Sequence, residues 1–215
     1  MSQRARLIAA VLGSAVSGVV LYRFFAKPAL MDDSSKNLFD ACVQVTAQDV
    51  SRLLGVRGDV VVLMWGPPAD DAKDPAGPPD VQAFCKALPR GGLHLLAKEK
   101  VPPVPAGYDI VWTEESYHLM LERYSQAGAL VSFVGAPPLS PEGIGTLPSM
   151  RPKLVVARGA KTETVRELLQ QGVVDGAVLP SGGPPASSRP PKTTREWSDK
   201  YYLFVTPATV SELGG

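Results

Sequence analysis

The chain has 215 residues, 45% of them hydrophobic, enough for one α/β domain of ordinary size with a terminal appendage and too few for two comfortable domains. Its 22 basic and 21 acidic residues leave a formal net charge of +1. There is no basic block and no interleaved aromatic stripe, which excludes the usual electrostatic footprint of a nucleic-acid binder.

Leu7 to Tyr22, LIAAVLGSAVSGVVLY, carries no charge and is flanked by Arg4, Arg6, Arg23 and Lys27. Phe24 and Phe25 extend the apolar run if Arg23 snorkels, which gives a transmembrane helix of sufficient length. A removable signal peptide needs small residues before its cleavage site, and Phe24 and Lys27 occupy that spacing, so residues 1–30 read as an uncleaved single-pass membrane anchor. The short basic tail before it and the long body after it favour a signal-anchor with the body outside the cytoplasm. Ala10, Ser14 and Gly18 form a small-residue stripe that points to weak homodimerisation through the anchor.

Residues 31–58 read as a polar linker, Asp32 to Lys36, and a leading helix from about Asn37 to Leu54, capped by Ser34 or Ser35 and stopped by Gly55 and Gly58. Residues 59–215 then read as the α/β domain. Asp59 to Trp65, DVVVLMW, is dense in β-branched residues and fits an interior parallel strand covered on both faces. Gly66 to Pro79 is a proline-rich acidic loop, Val81 to Leu88 a short helix, and Leu93 to Ala97 a second strand ending at Lys98 and Glu99. Asp109 to Trp112 is either a brief strand or an extended lead-in. Thr113 caps a helix with Ser116 at the reciprocal position and an apolar stripe of Tyr117, Met120, Leu121 and Tyr124. Ala129 to Val134 is the next strand, and Gly135 to Pro148 a loop rich in proline and glycine.

The clearest unit runs from Arg151 to Pro180. Lys153 to Ala157 is a strand, Thr162 opens a helix that buries Val165, Leu168 and Leu169, Gly172 closes it, and Val174 to Leu179 is the strand that follows. Two strands joined by a helical crossover are parallel neighbours. Ser181 to Lys192 is a polar low-complexity excursion, Tyr201 to Val205 the last strand, and Thr209 to Leu213 a terminal turn or short helix. The fold class is therefore α/β, a Rossmann-like three-layer domain with a mostly parallel sheet, preceded by the N-terminal transmembrane helix.

Leu168 to Pro180, LLQQGVVDGAVLP, resembles the helix, glycine and strand piece repeated in type I periplasmic binding proteins, the sugar-binding family. The closing YYLFVTPATV is similar to a final strand of that family leading into its V-T-P-x-x-V segment. The resemblance implies a single-lobe, periplasmic-binding-protein-like architecture, since 215 residues are too few for two full lobes.

No catalytic signature is present: the nucleophile elbow, the P-loop and the dinucleotide fingerprint are all absent, and Gly143-Ile144-Gly145 is a lone G-x-G. No cofactor and no metal are expected. His118 and Glu122 share a helix face without further ligands, and Asp70, Asp71 and Asp74 lack the spacing of a calcium loop. Cys42 and Cys85 fit two small buried thiols better than a disulfide. Ligands of open α/β sheets gather where strands end, so the candidate binding residues are Trp65, Glu99, Gly135, Arg158 and Ser181, with Arg158 supplying a fixed positive charge. The expected function is a membrane-anchored extracytoplasmic module for a small polar or anionic ligand or a protein partner. The alternatives are a membrane-tethered enzyme acting at the same rim and a structural subunit of a membrane complex.

Overall fold

The β-branched runs pair side by side in the computed structural model, which describes residues 33–55, 58–66, 77–101, 112–159, 161–181 and 192–212. The six strands are β1 Gly58–Trp65, β2 Leu93–Val101, β3 Ala129–Ser132, β4 Lys153–Val156, β5 Gly176–Pro180 and β6 Tyr202–Val205. They form one sheet in the order β2-β1-β3-β4-β5-β6, parallel except for β6, which runs antiparallel to β5. The helices are α1 Asp33–Leu54, α2 Pro79–Ala87, α3 Glu114–Arg123, α4 Pro141–Gly145, α5 Thr162–Gln170 and α6 Thr194–Tyr201. Among the described residues no helix is long and apolar enough to cross a membrane, and the segment Leu7 to Tyr22 lies outside them.

Residues Leu38–Gly215 form one compact unit with a helical layer on each face of the sheet. Alternate strand residues point to opposite faces, and the two cores follow that period. Val60, Val62, Met64, Val131 and Val155 meet Val43, Ala47 and Val50 of α1 and Val81 and Phe84 of α2. Val61, Leu63, Leu130, Leu154 and Val156 meet Tyr117 and Leu121 of α3 and Val165, Leu168 and Leu169 of α5. The leading helix is thus built into the α/β body, and it is helical from Asp33, where a linker to Lys36 was expected. Gly55 ends it with φ of 87°, the left-handed geometry that glycine adopts without strain.

Three further elements depart from the sequence expectation, each for a local reason. The apolar run of β2 stops at Ala97, yet backbone pairing with β1 continues through Lys98, Glu99 and Lys100 to Val101, because an edge strand tolerates charged residues. Its register shifts between Val60, opposite Leu95, and Val61, opposite Ala97, which leaves Leu96 as a bulge. Helix α6 stands where the sequence predicts no element, and Thr193 accepts from the backbone of Glu196 as its N-cap. The loop from Gly135 to Pro148 contains α4, whose buried Gly143 leaves room for the Glu114 carboxylate within 2.6 Å of where a Cβ would stand. The Thr113–Ser116 capping box forms as expected.

Buried polar groups tie the layers together. Asp49 of α1, 5% exposed, receives both Arg195 Nη atoms of α6 at 2.6 and 3.1 Å and Arg52 at 3.1 Å. Cys42 and Cys85 are free, half-buried thiols, and burial pushes both above their ordinary range. Tyr117 is fully buried with no partner for its hydroxyl among the described residues. Burial pushes it up to about 12, against the opposing pull of Arg151 and with a small addition from Asp175. The fold favours the protonated phenol, so this contribution is complete below the ordinary value of 10.0 and is lost as pH rises from there to about 12. Tyr117→Phe should therefore flatten the alkaline limb of the stability profile. At neutral pH it should unfold in urea within about 1 kcal/mol of the parent, because no hydrogen bond is lost. A neutral-pH loss of more than about 2 kcal/mol would mean that the hydroxyl has a partner.

Candidate functional site at the carboxyl edge of β1

The chain passes from β1 to β2 on one side of β1 and returns to β3 on the other, so the sheet reverses direction at the carboxyl end of β1. Loops leaving neighbouring strands toward opposite faces open a crevice there. A cavity of about 250 Å³ occupies this place, lined by Met64 and Trp65 of β1, Phe133 past β3, Pro78, Asp80 and Val81 at the start of α2, and Arg158 and Gly159 past β4. A second cavity of about 300 Å³ shares Met64, Trp65 and Pro78 and adds Gly66, Gly77, Gln82 and Lys100.

The walls are fixed by backbone close approaches. Ser132, fully buried, donates its hydroxyl to the Gly135 carbonyl at 2.5 Å and accepts from Val134 N at 3.3 Å, which folds the chain sharply after β3. Gly135 takes φ of 99° in that turn. Gly159, with φ of 87°, lies so near that a Cβ on it would stand 3.0 Å from Gly135 N, so the β3 and β4 loops touch through glycine. Phe133 packs edge-on against Phe84 of α2, their ring centroids 5.4 Å apart. Across the crevice Asp80, 5% exposed, accepts from Val81 N at 3.0 Å through one oxygen and from Arg158 Nη1 at 2.6 Å through the other. The Arg158 side chain is 67% exposed, so its remaining donors face solvent beside the cavity.

Of the five residues expected at this rim, Trp65 and Arg158 line the crevice together and Gly135 forms the turn behind it. Glu99 stands within β2 instead of after it, and its carboxylate binds Arg123 at 3.1 Å and the Tyr124 hydroxyl, fastening the end of α3 to the sheet edge. Ser181 does follow β5, but its N–H and hydroxyl donate to the carbonyls of Tyr201 and Lys200 at 2.9 and 2.8 Å, closing the junction of α6 with β6. Asp80, Phe133, Gln82, Lys100 and Gly159 were not anticipated. Asp80 carried a signal, an acid in a first helical turn just after Pro78 and Pro79, which reads equally as a dipole contact. Its pairing with a residue 78 positions away is set by tertiary structure alone. Among the described residues no group of three His, Cys, Asp or Glu side chains is placed to hold a metal ion.

No protein-family model and no curated protein matches the chain. Solved structures do. AraP, an arabinose binding protein from Geobacillus stearothermophilus, aligns with a TM-score of 0.50 and 13% identity over 83% of this chain and 64% of that one. A sugar-binding protein of a sugar ABC transporter from Bacillus halodurans gives 0.50 and 14% over 83% and 64%. An ABC transporter solute binding protein from Burkholderia graminis, in complex with D-arabinose, gives 0.50 and 11% over 82% and 62%. The chain thus spans less than two thirds of the length of these proteins. The similarity is one of fold, and at that level the resemblance to periplasmic binding proteins holds.

Proposed function

We propose that the protein is a membrane-anchored extracytoplasmic module that binds a small polar ligand in the crevice above Trp65. The observation that carries this reading is the position of the cavity, at the point where the strand order reverses, with an aromatic, an acid and an arginine along its lining. The sugar-binding proteins of like fold support a ligand rich in hydroxyl groups. The charge-free run Leu7 to Tyr22 with its basic flanks supports the anchor.

Thermal-shift and calorimetric titration of the 215-residue chain with monosaccharides and their oxidised acids tests the binding. At least one compound should bind, and Trp65→Ala and Arg158→Ala should each weaken it by about tenfold or more. Arg158→Ala should also lower stability by about 1–2 kcal/mol, since buried Asp80 loses its counter-ion and, among the described residues, keeps Val81 N alone. Binding that survives both changes would place the ligand elsewhere. Carbonate extraction of membranes with mass determination tests the anchor. An extractable product beginning near Met31 would contradict it.

A further inference from the structure

We infer that the ligand of this crevice is an anion, a small hydroxylated carboxylate, and that the unengaged edge of Arg158 and the Lys100 ammonium receive its carboxylate. The inference rests on the crevice being a ligand site, as proposed above, and concerns which chemical class it selects. It follows from which hydrogen-bonding groups are already occupied. Both Asp80 oxygens accept bonds, one from Val81 N and one from Arg158. Arg158 spends Nη1 on that pair, and among the described residues Nη2 and Nε are left, the two parallel donors that match a carboxylate. Lys100 supplies a second cation in the adjoining cavity, which shares Met64, Trp65 and Pro78 with that of Arg158. Its stem lies against Gly66, where a Cβ would come within 2.7 Å of Lys100 Cδ, so the glycine lets the lysine cross the end of β1.

The Gln82 amide nitrogen donates to the Gly77 carbonyl at 2.6 Å, which leaves Gln82 Oε1 as an uncharged acceptor on the described lining. A sugar acid carries as many hydroxyl donors as its parent sugar, so what the lining distinguishes is the acid group. A carboxylate presents acceptors only and suits a donor-rich wall. The described lining carries two cations and one acid, and that acid is already paired. A phosphate suits the site less well. Such groups are cradled by free backbone N–H groups at helix starts, whereas here α2 opens with Pro78 and Pro79, which have none, and Val81 N is taken by Asp80.

Isothermal titration of the full chain with D-gluconate against D-glucose, and with D-arabinonate against D-arabinose, tests the inference. Each acid should bind at least about tenfold more tightly than its neutral sugar, and more weakly as salt is raised. Arg158→Lys keeps the charge but loses the paired donors, so it should weaken acid binding by about tenfold. Lys100→Gln should weaken it severalfold, with both variants checked by thermal melting for an intact fold. Equal or tighter binding of the neutral sugar would overturn the anionic assignment and leave the binding-module reading standing. Acid binding indifferent to both substitutions would overturn it too. Binding of neither kind of ligand would overturn the assignment and the module reading together.

Discussion

Val155→Asp is expected to yield no folded protein under native conditions. Val155 is fully buried on β4, its backbone flanked by Val131 of β3 and Gly176 of β5. The core cluster it belongs to is built of buried apolar side chains and offers no counter-charge. An aspartate there must either hold an unpaired charge in a dry interior or take up a proton and still lack a partner, a loss of about 5 kcal/mol or more. A domain of this kind has about 5–15 kcal/mol in total, so most or all of its stability goes. Val155→Thr keeps the shape and buries one hydroxyl, and should lose only about 1–3 kcal/mol. Circular dichroism and urea titration of both variants check this. A Val155→Asp protein that melts within error of the parent would contradict the placement of β4 between two covered faces.

The second large effect is expected at Asp175. Its Oδ2 accepts from Leu154 N and from Arg151 Nη1, both at 2.9 Å, and its Oδ1 lies 3.3 Å from Lys153 Nζ. Arg151, whose side chain is 11% exposed, also donates to the carbonyls of Gly172 at 2.6 Å and Val173 at 2.9 Å. One carboxylate therefore joins the start of β4, the start of β5 and the end of α5. Asp175→Ala strands a largely buried guanidinium and a strand N–H together, and should destabilise by about 2–4 kcal/mol. Asp175→Asn can still accept from Leu154 N and should recover about half of that. Equilibrium urea unfolding measures both, and a loss below about 0.5 kcal/mol for the alanine variant would mean that the clamp contributes nothing.

This clamp also explains why the stretch from Gly172 to Gly176 could be read from sequence alone. Gly172 ends α5 with φ of 69°, Asp175 holds the two strands in step, and Gly176 leaves the space that the Phe204 ring fills, 2.6 Å from where a Cβ would stand. The motif is structural, so it reports fold and says nothing of ligand. Interior strands were legible because burial on both faces demands β-branched and other apolar residues without charge, as in Val60 to Met64. The edges were not. β2 mixes Lys98, Glu99 and Lys100 into a paired strand, and β6 begins beside the end of β5, Tyr202 opposite Pro180, and so runs antiparallel. At the site, Trp65 and Arg158 could be placed by strand direction. Asp80 could not, because nothing local distinguishes a helix-start acid that meets an arginine across a crevice from one that meets only its own helix.

The central claim, a ligand seated above Trp65, is tested most directly by following the three tryptophan indole N–H signals during ligand titration. Nitrogen-15-labelled protein is titrated with the tightest binder among the sugars and sugar acids, and the signals are assigned by Trp→Phe variants. Trp65 lines both cavities, while Trp197 stacks on Tyr201 in α6, outside their lining, and Trp112 is buried against Tyr117. The Trp65 signal should move and saturate with the calorimetric affinity while that of Trp197 stays in place. A Trp65 signal unmoved at saturation, or a shift confined to Trp197 or Trp112, would contradict the site.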